Sequence, residues 1–153
     1  GDCWLCPQNS TGKADGDLNS YHCICDLGFA KSYSSSDVSP EVLLGRTTEV
    51  VCVACSAGEF GSAETCTACS PGTYTSELAQ SACIITSPGY YQPSEGGTES
   101  LACQAGTYAL WSGSTECHDC PEGYFGKTEG MSACDAAPAG YITNGTGATK
   151  VIP

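Results

Sequence analysis

The sequence is short of almost everything an ordinary hydrophobic core is made from. Its 153 residues include one Met, three Phe and two Trp, too little bulk for burial at about 25 cal/mol per Å² to offset the entropy of ordering the chain. Basic charge is also scarce: five Lys and Arg stand against 17 Asp and Glu, for a net charge of −12. With no basic patch to displace counterions, the sequence argues against nucleic acid and anionic membrane surfaces as partners. The acidity reads instead as a solvated, self-repelling surface. No apolar run approaches the roughly 20 residues of a membrane span, so no span is expected in this chain. No D-x-D-x-D-G loop offers a calcium site. No stretch holds a helical period, and only Pro40–Val51 (PEVLLGRTTEVV) is mildly strand-like. The chain opens at Gly1 with neither Met nor leader, which reads as a processed product or an excerpt.

What the sequence does hold is sulfur and glycine: 13 Cys and 19 Gly. A cysteine content above about 8% in a short chain marks a disulfide scaffold, and such scaffolds persist in oxidising compartments. An extracellular location, secreted or at the cell surface, is therefore expected.

The cysteines sit on an internal repeat. Gly72, Gly89, Gly106, Gly123 and Gly140 recur every 17 residues. Two residues after each stand Tyr74, Tyr91, Tyr108, Phe125 and Ile142, and further columns hold Ser81, Thr98, Thr115, Ser132 and Thr149, and Gly96, Gly113, Gly130 and Gly147. Columns that hold phase over five copies identify a repeat array. The unit is C-x-x-C-x-x-G-x-aromatic, followed by a polar Gly/Ser/Thr stretch. Glycine after the second Cys suits a positive-φ turn, the ring is expected to cover the cystine as a miniature core, and the polar stretch is turn chemistry between short strands.

Degenerate copies point to the disulfide pairing. Thr86 replaces the second Cys of one unit and Ser100 the first Cys of the next; Ala137 and Val151 repeat that joint loss. A bridge losing both ends at once explains both cases. The inferred pairs are Cys55–Cys66, Cys69–Cys83, Cys103–Cys117 and Cys120–Cys134, each closing a loop worth roughly 3 kcal/mol in the chain-entropy description. By the same rule Cys6 pairs with Cys23, and Cys25 with Cys52 around an insertion. On this reading the bridges run from unit to unit along the array, and the copies without a cystine are held by packing alone, as bends or contact points. Cys3 is left over: either it closes a unit begun before Gly1, or it forms a bond outside the chain.

The units CSAGEF (55–60), CSPGTY (69–74), CQAGTY (103–108) and CPEGYF (120–125) resemble ephrin-receptor-like cysteine-rich repeats, and their spacing is similar to the first module type of tumour-necrosis-factor-receptor ectodomains. CWLCPQNST (3–11) with CICDLGF (23–29) looks like the start of such arrays in large surface proteins of algae and protists. The resemblance implies a small disulfide-rich fold, an elongated rod of tandem cysteine-rich modules with very short β-strands and little helix. Residues 1–52 would form N-terminal EGF-like or ephrin-receptor-like modules carrying an insertion at 31–51, and residues 52–153 the tandem repeats of about 17 residues.

Other chemistries fit less well. Cys52, Cys55, Cys66 and Cys69 have the outline of a four-thiolate zinc site, but the Gly-x-aromatic signature recurs where no Cys pair precedes it. His22 and His118 neighbour cysteines assigned to bridges, and bridged sulfur supplies no nucleophile. The neighbouring carboxylates Asp15 and Asp17 have no apolar cleft to separate their acidities. No catalytic, metal or cofactor site is expected. Asn9-Ser10-Thr11 and Asn144-Gly145-Thr146 are glycosylation sequons, so attached glycans at Asn9 and Asn144 are expected, and Ser34–Ser36 offers hydroxyls for O-linked sugar. Trp111 is read as capping a cystine and Trp4 is left open.

The function this supports is structural: a non-catalytic segment of an extracellular matrix, coat or filament protein, associating with itself or with other extracellular proteins. The alternative is a receptor or adhesin ectodomain. In that case the insertion, which carries the only Arg (Arg46), is the candidate contact surface.

Overall fold

A computed structural model describes residues 8, 10–14, 21–33, 50–62 and 65–153. Among them there is no helix, and the strands pair in sequence order as antiparallel two-stranded hairpins. The first two hairpins are the longest: β1 (Ser10–Ala14) with β2 (Tyr21–Cys25), and β3 (Phe29–Tyr33) with β4 (Val50–Ala54). Then come β5 (Glu59–Ser62) with β6 (Thr65–Ala68), and β7 (Thr73–Tyr74) with β8 (Ile84–Ile85). Next are β9 (Tyr90–Tyr91) with β10 (Leu101–Ala102), and β11 (Thr107–Tyr108) with β12 (His118–Asp119). The last are β13 (Tyr124–Phe125) with β14 (Asp135–Ala136), and β15 (Ile142–Thr143) with β16 (Val151–Ile152). The insertion leaves from the end of β3 and returns at the start of β4. Of the strand-like Pro40–Val51, Val50 and Val51 lie in β4, and residues 40–49, Arg46 among them, lie outside the described residues.

A tight turn opens each hairpin from β3 onward. In Ser70-Pro71-Gly72-Thr73 the Thr73 amide donates to the Ser70 carbonyl (3.0 Å), and Gly72 takes φ 84°. That is a type II turn, whose third position needs positive φ and whose second suits Pro. The same bond recurs at Phe29, Glu59, Tyr90, Thr107, Tyr124 and Tyr141. We name each module by its turn glycine: Gly28, Gly58, Gly72, Gly89, Gly106, Gly123 and Gly140.

Among the described residues, five disulfides join Cys25–Cys52, Cys55–Cys66, Cys69–Cys83, Cys103–Cys117 and Cys120–Cys134. Each ties the segment leading into one hairpin to that hairpin's second strand: Cys69 precedes β7, for example, and Cys83 stands directly before β8. These are the pairs inferred from the sequence, each joining the second Cys of one unit to the first Cys position of the next. Cys3 and Cys6 lie outside the described residues, as does the side chain of Cys23. Bridged sulfur at Cys52, Cys55, Cys66 and Cys69 offers no thiolate for the four-ligand zinc arrangement.

The buried core also differs from the expected ring on a cystine. Cys55, Cys69, Cys103 and Cys120 are at most 1% exposed, but Phe60, Tyr74, Tyr91 and Tyr108 are only half-buried. The buried column lies one residue beyond the ring: Gly61, Thr75, Gln92, Ala109, Gly126 and Thr143 are all buried. Phe125 is the one well-buried ring of the series, with the Lys127 ammonium 5.0 Å from its centroid.

Candidate functional site: the interfaces between modules

With hairpins this small, what joins one to the next decides whether the array exists. Backbone hydrogen bonds do it, in a pattern that repeats. Take the Gly89 module against the Gly106 module. The Gly89 amide donates to the Ala109 carbonyl (2.8 Å), the Gln92 amide to the Ser114 carbonyl (3.0 Å), the Gly113 amide to the Thr86 carbonyl (2.9 Å) and the Cys103 amide to the Gly89 carbonyl (2.9 Å). The equivalent four bonds join the Gly58, Gly72, Gly106 and Gly123 modules in series. Between the last two modules, Gly126 still donates to Ala148, Gly147 to Cys120, and Ala137 to Gly123. Paired backbone groups out of water are the condition for burying them at all.

Contact extends to the next module but one. A β-carbon built on Gly89 would lie 2.1 Å from the Gly130 carbonyl oxygen, and one on Gly72 would lie 2.3 Å from that of Gly113. The turn glycine thus has two uses: its positive φ makes the turn, and its missing side chain admits a backbone from two modules on.

Side chains of the buried column reinforce these interfaces. The Thr75 hydroxyl accepts from the Gly58 amide (2.8 Å) and donates to the Glu59 carbonyl (3.5 Å). Thr143 repeats the first of these at the far end, its hydroxyl accepting from the Gly123 amide (2.9 Å).

The copy without a cystine is the most informative. Thr86, in the second-cysteine position, is fully buried, and its hydroxyl is the buried side-chain oxygen among the described residues that has no hydrogen-bond partner. Its backbone bonds are intact: the Thr86 amide donates to Gly72 and its carbonyl accepts from Gly113. The loop that a disulfide would have closed is held by Gln92 instead. The Gln92 carboxamide donates to the Glu99 carbonyl (2.7 Å) and accepts from the Ser94 amide (2.9 Å). Gly97 makes room for it, since a β-carbon there would lie 2.5 Å from the Gln92 side chain. This copy is therefore not held by packing alone, and its interfaces are as fully bonded as those of its neighbours. Gln92 could not be singled out from the sequence, because a lone Gln in a polar stretch reads as surface.

The remaining candidate residues are on the outside. Trp111 is 74% exposed and caps no cystine, contrary to expectation. His118 is exposed and lies across the hairpin from Tyr108, with ring centroids 6.1 Å apart. Asn144 is exposed in the turn beyond β15. Its column, with Ser62, Ser76, Pro93, Leu110 and Lys127, is exposed in every one of these modules. Trp4, Asn9, Asp15, Asp17, Ser34, Ser35 and Ser36, together with the side chain of His22, lie outside the described residues. No helix among the described residues is long and apolar enough to cross a membrane.

Residues 106–152 match the family described as tyrosine-protein kinase ephrin type A/B receptor-like. No curated protein matches the chain. The matched segment takes in the modules of Gly106, Gly123 and Gly140, and the bonding pattern described above continues back from it to Gly28.

Proposed function

From an ephrin-receptor-like segment that continues as a serial stack, we propose that the chain is a structural, non-catalytic part of an extracellular matrix, coat or filament protein. The observation that carries this reading is the continuity of the backbone bonds through the Gly89 module, where the disulfide is missing and the bonding is not. A protein selected for a pocket has no need to keep every interface alike. A protein selected for length does, because one weak joint ends the span. The disulfides and the family resemblance both support an extracellular setting, and serial docking supports an elongated rod.

Electron microscopy of the native material tests the reading. Extended rods or fibrils are expected; isolated compact particles would overturn it. A receptor or adhesin ectodomain is the second reading, favoured by the receptor-like family of residues 106–152. On that reading an isolated soluble ligand should bind and the chain should stay dispersed.

Attached glycan is a separate part of the proposal. Asn144 stands on the exposed column, away from every module interface described above. When the chain is secreted from a eukaryotic host, enzymatic removal of N-glycan is expected to lower the mass of the peptide containing Asn144 by one glycan, and Asn144→Gln should abolish that shift. An unmodified Asn144 peptide in the secreted wild type would refute the assignment.

A further inference from the structure

One module carries side chains that its sisters do not. In the column of Trp111 the other copies in phase place Glu77, Ser94, Thr128 and Gly145, and in the column of His118 they place Ile84, Leu101, Asp135 and Ile152. Trp111, Glu116 and His118 therefore fall together on the Gly106 module alone of these five copies, and the repeat does not require them. All three are exposed, Trp111 at 74%. The loop 111–116 and His118 line an open hollow of about 260 Å³. That is below the roughly 300–1,000 Å³ of a pocket for a drug-sized ligand, and suits one sugar ring rather than a larger molecule. The backbone around the hollow is fixed in place. The Gly113 amide donates to the Thr86 carbonyl (2.9 Å), and the Ser114 carbonyl accepts from the Gln92 amide (3.0 Å). The Ser114 hydroxyl donates to the Trp111 carbonyl (2.7 Å). Cys117, between Glu116 and His118, is tied to Cys103. The His118 ring lies against Tyr108, with centroids 6.1 Å apart. An arrangement held before any ligand arrives lowers the ordering cost of binding one.

We propose that this hollow binds a neutral pyranose, with Trp111 stacked on the sugar ring and Glu116, His118 and the hydroxyls of Ser112 and Thr115 pairing with its hydroxyl groups. A pyranose with equatorial hydroxyls presents only axial C–H bonds to each face, and polar groups around its edge. The hollow offers the complement: one large amphipathic ring beside a few polar side chains. A carboxylate is acceptor-only and takes hydrogen bonds from two neighbouring hydroxyls, while the imidazole and the serine and threonine hydroxyls can donate. No Lys or Arg lines the hollow, so nothing there balances a phosphate, a sulfate or a uronate. The net charge of −12 repels such ligands as well. The same ring chemistry could come from an extracellular polysaccharide or from an N-linked glycan on a neighbouring protein. The site stands on one module and does not depend on whether the array forms a filament.

The test is an NMR titration of the oxidised full chain, reading the Trp111 indole N–H and the Gly113 and Thr115 amides. Cellohexaose probes the polysaccharide source and chitobiose the core of an N-linked glycan. A saturable shift with a Kd of about 1 mM is expected for at least one of them, and the stronger response identifies the source. Oligogalacturonate, an acidic counterpart, should bind at least tenfold more weakly. Trp111→Ala should weaken binding by about tenfold or more, read at the loop amides, whereas Trp111→Tyr should keep most of it. Retention in the tyrosine variant separates loss of stacking from loss of the fold. Glu116→Gln should weaken binding about threefold or more. Ile85→Ala, on an exposed apolar residue outside the lining, should change nothing. No response to either neutral sugar, or a response that persists in Trp111→Ala, would overturn the site. Equal binding of oligogalacturonate would overturn its preference for a neutral ring.

Discussion

Gly89→Ala is expected to destabilise the oxidised chain by about 3–5 kcal/mol, while the same substitution at Gly140 costs only about 1–2 kcal/mol. The two glycines occupy the same turn position with nearly the same backbone, φ 88° and 85°. The penalty for placing an L-residue in the left-handed region is therefore common to both. What differs is the neighbour: the new β-carbon at Gly89 meets the Gly130 carbonyl at 2.1 Å, and at Gly140 it meets nothing within 4 Å. The Gly130–Met131 backbone is held by the Gly130 amide on the Cys103 carbonyl and by the Met131 carbonyl under the Ala109 amide, so this carbonyl cannot step aside as a flexible side chain does, and relief requires separating the modules. Urea unfolding of the two variants, followed by hydrogen exchange at the Gly96, Gly113 and Gly130 amides, measures the difference. Equal costs at the two positions would show that the turn alone sets the price and that the second-neighbour contact contributes nothing.

The largest stabilisation is expected from Thr86→Cys combined with Ser100→Cys. These positions are 14 residues apart, the separation of Cys69–Cys83, Cys103–Cys117 and Cys120–Cys134. Thr86 precedes β9 and Ser100 stands directly before β10, as Cys69 and Cys83 stand to β7 and β8. A disulfide closing a loop of this size contributes roughly 3 kcal/mol, and the exchange also removes the buried Thr86 hydroxyl that has no partner, a burden of about 1–3 kcal/mol. The double variant should form the bond on air oxidation, lose two free thiols by alkylation assay and unfold at higher urea. The Gln92 clamp would then be redundant. Gln92→Ala should cost measurably less in the double variant than in wild type, and this coupling separates a true replacement from an additive cystine. Failure of the two thiols to join would show that the Gln92-held loop has a different shape from its cystine-closed neighbours.

The contrast between what could and could not be read from sequence follows from which atoms do the work. The turn glycines were legible because positive φ excludes nearly every other residue. The joint losses at Thr86/Ser100 and Ala137/Val151 single out bridges that close hairpins from one Cys column to the next, and these are pairs the structure joins. The buried column one step beyond the ring was not legible, since Gly61, Thr75, Gln92, Ala109, Gly126 and Thr143 share no side-chain property. All but Thr143, which uses its hydroxyl, share a carbonyl or amide used between modules, and every residue type has those. The rings drew attention instead because large apolar side chains are expected inside. In modules this thin there is no inside wide enough to take a whole tyrosine. The same thinness leaves Trp111 on the outside.

The spacing of these contacts along the chain also sets an order of events for a polypeptide entering an oxidising compartment from its N-terminus. From Cys55 onward a cysteine meets its partner 11 or 14 residues later, the first hydrogen bond to the next module waits for the residue 20 positions on, as from Gly89 to Ala109, and the second-neighbour contact for one 41 positions on, from Gly89 to Gly130. Each bridge can therefore close while few other thiols have yet emerged, and docking follows onto hairpins that already hold their shape. Short loops close fast and at little entropic cost. An array of this kind can be lengthened by further repeats without lengthening any single search, because the last module to emerge faces the same few partners as the first.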